Sequence, residues 1–133
     1  MLKYMLDTNI VIYVIKRKPI AVLDTFNTNA LRICVSSITY AELIFGVEKS
    51  SKAAHNLQRV EDFISRLEVL DYGKKAANHY GEIRHNLASL GQPIGPNDLH
   101  IAAHARSEGL VLVTNNLKEF SRVNGLLTEN WIE

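Results

Sequence analysis

The sequence predicts an α/β domain on a mainly parallel sheet of four or five strands, and two observations carry that reading. Short apolar runs recur along the chain, and stretches of helical periodicity separate them. The expected strands are 3–6, 32–35, 67–70 and 110–113, with a short fifth at 126–128. The expected helices are 8–16, 19–28, 37–49, 53–66, 74–90, 97–108 and 116–121. At 133 residues the chain suits one domain over 1–133, long enough to bury a core.

The elements follow in order. The strand at Tyr4-Met5-Leu6 leads into Asp7-Thr8-Asn9 and an apolar helix, where aspartate is a favoured cap. Cys34 lies between Ile33 and Val35 in the second strand and reads as a small core residue, since a single cysteine has no intrachain partner. The segment Gly91-Gln92-Pro93-Ile94-Gly95-Pro96 is a loop entering a helix. Pro96 suits the first helical position, and Asp98 in the first turn complements the helix dipole. In such sheets ligands gather at the carboxyl ends of the strands, where Asp7 and Thr114 both fall.

On a helical wheel of 38–49, Ile38, Tyr40, Ala41, Leu43, Ile44, Phe45 and Val47 span well over half the circumference. Thr39, Glu42, Gly46 and Lys49 share the remaining strip. So apolar a helix is expected to be largely buried, its polar strip forming a cleft wall. Gly46 lowers helix propensity by about 1 kcal/mol relative to alanine and leaves room for an approaching group. The alternative is a solvent-facing Glu42.

Asp7, Glu42 and Asp98 each stand beside apolar sequence, so each needs a partner, a proton or a metal if brought indoors. Two unit charges about 4 Å apart repel by about 4 kcal/mol at an effective dielectric of about 20. A hard divalent cation removes that penalty, and oxygen-only ligands suit Mg²⁺ or Mn²⁺ over zinc. His100 and His104 have the spacing of a zinc pair but point away from Asp98, and no further motif completes a zinc site. They read as structural or interface histidines. Neither a phosphate-binding glycine loop nor a nucleophile elbow is present.

The net charge of +1 leaves nucleic acid open as a partner. No apolar run approaches the about 20 residues that span a bilayer, and no signal-peptide pattern opens the chain. A cytoplasmic protein without membrane association is expected.

Met5-Leu6-Asp7-Thr8-Asn9, the run from Ser36 to Leu43 with Gly46 following, Ile94-Gly95-Pro96-Asn97-Asp98 with the helix after it, and Val113-Thr114-Asn115-Asn116 ahead of Phe120 form an ordered set. Through them the chain resembles, nearly end to end, the PIN-domain ribonucleases and specifically the VapC-type toxins. The resemblance implies a three-layer α/β/α sandwich and a Mg²⁺-dependent endoribonuclease acting on structured RNA, commonly tRNA, with the anticodon region of initiator tRNA as a family-level target. It also implies a VapB-type antitoxin whose C-terminal segment occupies the toxin groove, a homodimer, and a higher toxin–antitoxin assembly.

Carried over by residue, Asp7, Glu42 and Asp98 match the acidic, metal-holding cluster. Many relatives have aspartate where this chain has Asn116, so Asn116 or Glu119 is expected to complete the catalytic set; Asn116 is also placed to cap the next helix. Thr8, Asn9, Lys49 and Thr114 are assigned to holding or orienting substrate. Two other readings compete. A non-catalytic RNA-binding module would keep the fold, and a haloacid-dehalogenase-like phosphatase would also begin with an aspartate after a strand, but would need a second where Asn9 stands.

Overall fold

Helices carry the chain from each strand to the next, and all strands run parallel in the order β3-β2-β1-β4-β5. The computed structural model describes residues 1–132. The central strand is β1 (Tyr4–Leu6). On one side lie β2 (Ile33–Ser36) and β3 (Glu68–Leu70), and on the other β4 (Val111–Val113) and β5 (Thr128–Glu129). The order reverses at β1, so the crevice beyond β1 and β4 is where such a sheet offers a binding site.

Strand alternation divides the core in two. Tyr4, Leu6, Ile33, Val35 and Val113 pack on one face against Val11, Val22, Phe26, Leu43 and Phe63. Met5, Cys34 and Leu112 pack on the other against Ile83, Leu87, Ile101 and Phe120. The first face is covered by α1 (Thr8–Lys16), α2 (Ile20–Thr28), α3 (Ser37–Glu48) and α4 (Ala53–Ile64). The second is covered by α5 (Lys74–Ser89), α6 (Pro96–Ser107) and α7 (Leu117–Phe120). Burial on both faces explains why the central strands are continuously apolar, and the result is the three-layer sandwich.

Most expected boundaries differ from these by a residue or two. The fifth strand falls at Thr128–Glu129 rather than 126–128, although Leu127 already accepts a bond from the Leu112 amide. A 3-10 turn at Ala30–Arg32, which has no sequence counterpart above, precedes β2. Burial raises the Cys34 thiol to about 12, with Glu68 and Glu108 adding repulsion, so it stays protonated and inert at neutral pH. No helix among the described residues is long and apolar enough to cross a membrane.

The expectation for α3 needs correction. Only Thr39, Leu43 and Val47 are buried along it, whereas Ala41 is exposed and Phe45 is 65% exposed. A helix lying on one face of a sheet hides one stripe, whatever the rest of its circumference carries. Thr39, expected on the polar strip, is 0% exposed.

Candidate active site

Asp7 is placed by the end of β1. Its amide donates to the Val113 carbonyl of β4 (2.9 Å), which ties the carboxyl ends of the two parallel strands together. It also caps α1: Oδ1 accepts from the Thr8 amide at 2.7 Å, while Oδ2 accepts from the Thr114 hydroxyl at 2.9 Å. The cap and site readings are therefore compatible. At 4% exposure, the carboxyl has its pKa raised chiefly by burial, against these two bonds, with Glu42 and Glu119 adding repulsion.

Glu42 reaches the same region from α3. Its Oε1 accepts from the Thr8 hydroxyl at 2.6 Å, and its Oε2 from Asn97 Nδ2 at 2.9 Å. Thr39 Oγ1 stands 3.2 Å from the Thr8 oxygen, tying α3 to α1. Asn97 thus orients Glu42 across 55 residues of sequence, a role with no signature in the chain beyond its place beside Asp98.

Asp98 is in the first turn of α6, and its pKa is pushed up to about 6, chiefly by burial and then by Asp7, Glu119 and Glu42. Glu119 closes the far side from α7. It accepts from the Asn116 amide group (3.1 Å) and the Gly95 backbone amide (3.2 Å), bonds that hold its own pKa below the usual value. Asn116 stands at the cap position of α7 without capping it through its side chain, and instead orients Glu119.

A buried pair braces the platform beneath. Ser36 caps α3 by accepting from the Ile38 amide (3.0 Å), and its hydroxyl meets His104 Nδ1 at 2.7 Å. His104 is 2% exposed, so this bond fixes the helix bearing Asp98 against the start of the helix bearing Glu42. His100 instead meets the Tyr72 hydroxyl at 2.8 Å and stacks on Tyr80. Neither ring is free to form a zinc pair through Nδ1. Of the remaining assigned residues, Asn9 is exposed in the first turn of α1. Lys49 is exposed at the end of α3, with its ammonium 5.0 Å from the Phe45 ring centroid. Seven residues of helix, about 10 Å, separate Lys49 from Glu42, so it is not beside the acids.

The donor set is hard oxygen. Among the described residues no three acidic, histidine or cysteine groups are gathered tightly enough to grip one ion directly. The acids nevertheless lie near enough to add their repulsion to the burial that raises Asp98. That hard-oxygen donor set would suit a divalent cation, which would offset the charge of the acids.

The raised pKa of Asp98 has a measurable consequence without metal. Between pH 3.8 and about 6 the folded chain keeps a proton on Asp98 that the unfolded chain has released, so stability falls as pH rises across this window. Burial depresses the pKa of His100 and His104, which acts the opposite way on acidification. Asp98→Asn isolates the carboxylate. In EDTA the variant is expected to melt above the unmodified protein at neutral pH, with the difference vanishing below pH 3.8. Melting curves giving a pH-independent difference would refute the raised pKa.

A parallel α/β sheet with acidic side chains gathered beyond its carboxyl ends is the arrangement of a PIN-type nuclease, and the chain belongs to the PIN domain family, whose profile matches residues 4–126. PIN-domain nucleases are generally dependent on divalent metal. Within the family the relatives are VapC ribonucleases. The chain is 62% identical over 132 residues to Ribonuclease VapC2 of Haemophilus influenzae, covering 99% of this chain and 100% of that protein. It is 56% identical over 131 residues to the tRNA(fMet)-specific endonuclease VapC of Shigella flexneri, covering 98% and 99%. Among solved structures, DNA-bound VapBC from Salmonella typhimurium matches with a TM-score of 0.95 at 57% identity, over 98% of this chain and 99% of that one. The phosphatase reading is set aside by this membership.

Proposed function

We propose that the chain is the toxin of a VapBC-type toxin–antitoxin pair, a Mg²⁺-dependent endoribonuclease that hydrolyses tRNA in the cytoplasm. Relatives of this length, named for ribonuclease activity and for tRNA(fMet), support the substrate class, and a solved VapBC complex supports a VapB-type protein partner. The observation that carries the catalytic reading is the convergence of Asp7, Glu42, Asp98 and Glu119 from four elements, with burial first and then the neighbouring acids raising Asp98.

Asp7, Asp98 and Glu42 would hold the ion, with Glu119 completing the acidic wall. When bound, it supplies neutralisation of the acids and the phosphate, a lower pKa for an attacking water, and stabilisation of charge at the transition state. The protein's own part is orientation. Thr114 and the Thr8 amide aim Asp7, the Thr8 hydroxyl and Asn97 aim Glu42, and Asn116 with the Gly95 amide aims Glu119. With water as nucleophile, the 3′ oxygen is the leaving group, so the products carry a 5′-phosphate and a 3′-hydroxyl.

Partner-free protein incubated with total tRNA is expected to produce discrete fragments with Mg²⁺ and none with EDTA, and end-labelling is expected to identify those termini. A cyclic phosphate would contradict a water nucleophile. Binding without cleavage would favour the non-catalytic RNA-binding module, the reading that Asn116 in place of an acid keeps open.

A further inference from the structure

Where α1 ends against α4, a hollow of about 170 Å³ is bordered by Arg17, Arg59 and Arg66, with Asp62 its only acid and Leu23 and Phe26 in its wall. The geometry points to a phosphate-backbone track here, in which Arg17, Arg59 and Arg66 hold RNA leading away from the acidic cleft. This inference rests on the RNA-cleaving function proposed above and extends it to the substrate's flank.

The hollow adjoins a groove that reaches Thr8 and Glu42, and the two share Ile15 and Arg59. Arg59 also lines the neighbouring groove that passes Lys16 and Gly46 to Thr8 and Glu42, and its guanidinium donates to the Ile15 carbonyl at the junction (3.4 Å). Arg59 on α4 and Arg66 just past its C-terminal end border the hollow together with Arg17 at the end of α1. Arg17, Arg59 and Arg66 are all exposed, as is Lys16. The ion pairs among the described residues are Lys75–Glu108 and Arg106–Glu82, so none of these four cations is paired.

Arg17 adds an independent observation. It caps α1 at φ 58°, and among the described residues it is the one non-glycine residue with positive φ. Glycine would take that conformation without strain, so the backbone gains nothing from arginine there. Its side chain instead borders the hollow.

Electrostatics favours such a track. The four acids repel a polyanion, and an ion bound among them neutralises charge only locally. The phosphates next to the scissile one need cations of their own, and guanidinium groups can grip phosphate with two parallel bonds. Such contacts release counterions and so leave a signature in salt dependence.

The test is single-turnover cleavage of labelled tRNA by partner-free protein across a KCl series, comparing the unmodified chain with Arg17→Gly/Arg66→Gln. The double variant is expected to need about tenfold more protein for half-saturation, and the slope of log affinity against log salt should be shallower by about 1.5. The defect should lie in half-saturation rather than in the rate at saturation. Its melting temperature should not fall, because glycine suits φ 58°. Arg17→Lys in the unmodified background, which keeps the charge, should retain the original salt slope. An unchanged half-saturation and slope in the double variant overturns the track. So does a lower rate at saturation alone, or a variant that keeps its salt slope but loses its protein partner, which would assign this face to that partner. If the unmodified chain cleaves no RNA, the proposed function fails first and the track with it.

Discussion

Asp7→Asn is expected to lower RNA cleavage at least about a hundredfold at saturating Mg²⁺ while leaving the fold as stable as before, or more so. The substitution keeps the shape of the side chain. Its oxygen can still accept from the Thr8 amide, so the α1 cap survives. The new amide then faces the Thr114 oxygen, which already accepts from the Asn116 backbone amide at 3.0 Å. Losing one net hydrogen bond costs about 1 kcal/mol. Against that, the variant no longer buries a charge beside Glu42 and Glu119, the conditions that raise the pKa of Asp7. Stability and activity therefore separate at this residue, and fluorescence melting alongside a cleavage assay reads both. A variant that cleaves RNA near the original rate would remove Asp7 from the mechanism. One that unfolds would show its role to be architectural.

Phe120→Ala should be the most damaging core change, destabilising the protein by about 3–5 kcal/mol, a large part of the 5–15 kcal/mol typical of a domain. Phe120 is 0% exposed and heads the largest fully buried side chains. It belongs to a helix of four residues, Leu117–Phe120, too short to hold itself by backbone bonds alone. This ring packs α7 onto Met5, Leu112 and their neighbours, and Glu119 is the residue before it. Activity should therefore fall along with stability. Urea denaturation gives the free energy; Phe120→Leu, which leaves a smaller cavity, should fall between the two. If Phe120→Ala lowers stability by less than about 1 kcal/mol, α7 does not depend on this anchor.

The alternation of apolar runs and helical stretches was readable because strand and helix periods differ and both faces of a parallel sheet are buried. Asp7, Glu42 and Asp98 stood out for a related reason: ionisable residues against apolar sequence demand a partner. The wheel of α3 misled, since hydrophobicity records what a helix can bury and not which stripe a neighbour covers. Phe45 is exposed and Thr39 buried for that reason. Asn116 and Glu119 were paired alternatives in sequence, whereas in space they act together, the amide orienting the acid.

The chain on its own therefore determined the α/β architecture and the positions of the strands and helices, and it singled out Asp7, Glu42 and Asp98, because these follow from local periodicity and from the cost of isolated charge. The tertiary structure alone decided which side chains touch. Asn97 reaches Glu42, Ser36 meets His104, and Arg17 borders one hollow with Arg59 and Arg66. Such pairings depend on how helices dock across a sheet, through packing shared among many residues, and no short stretch of sequence encodes that.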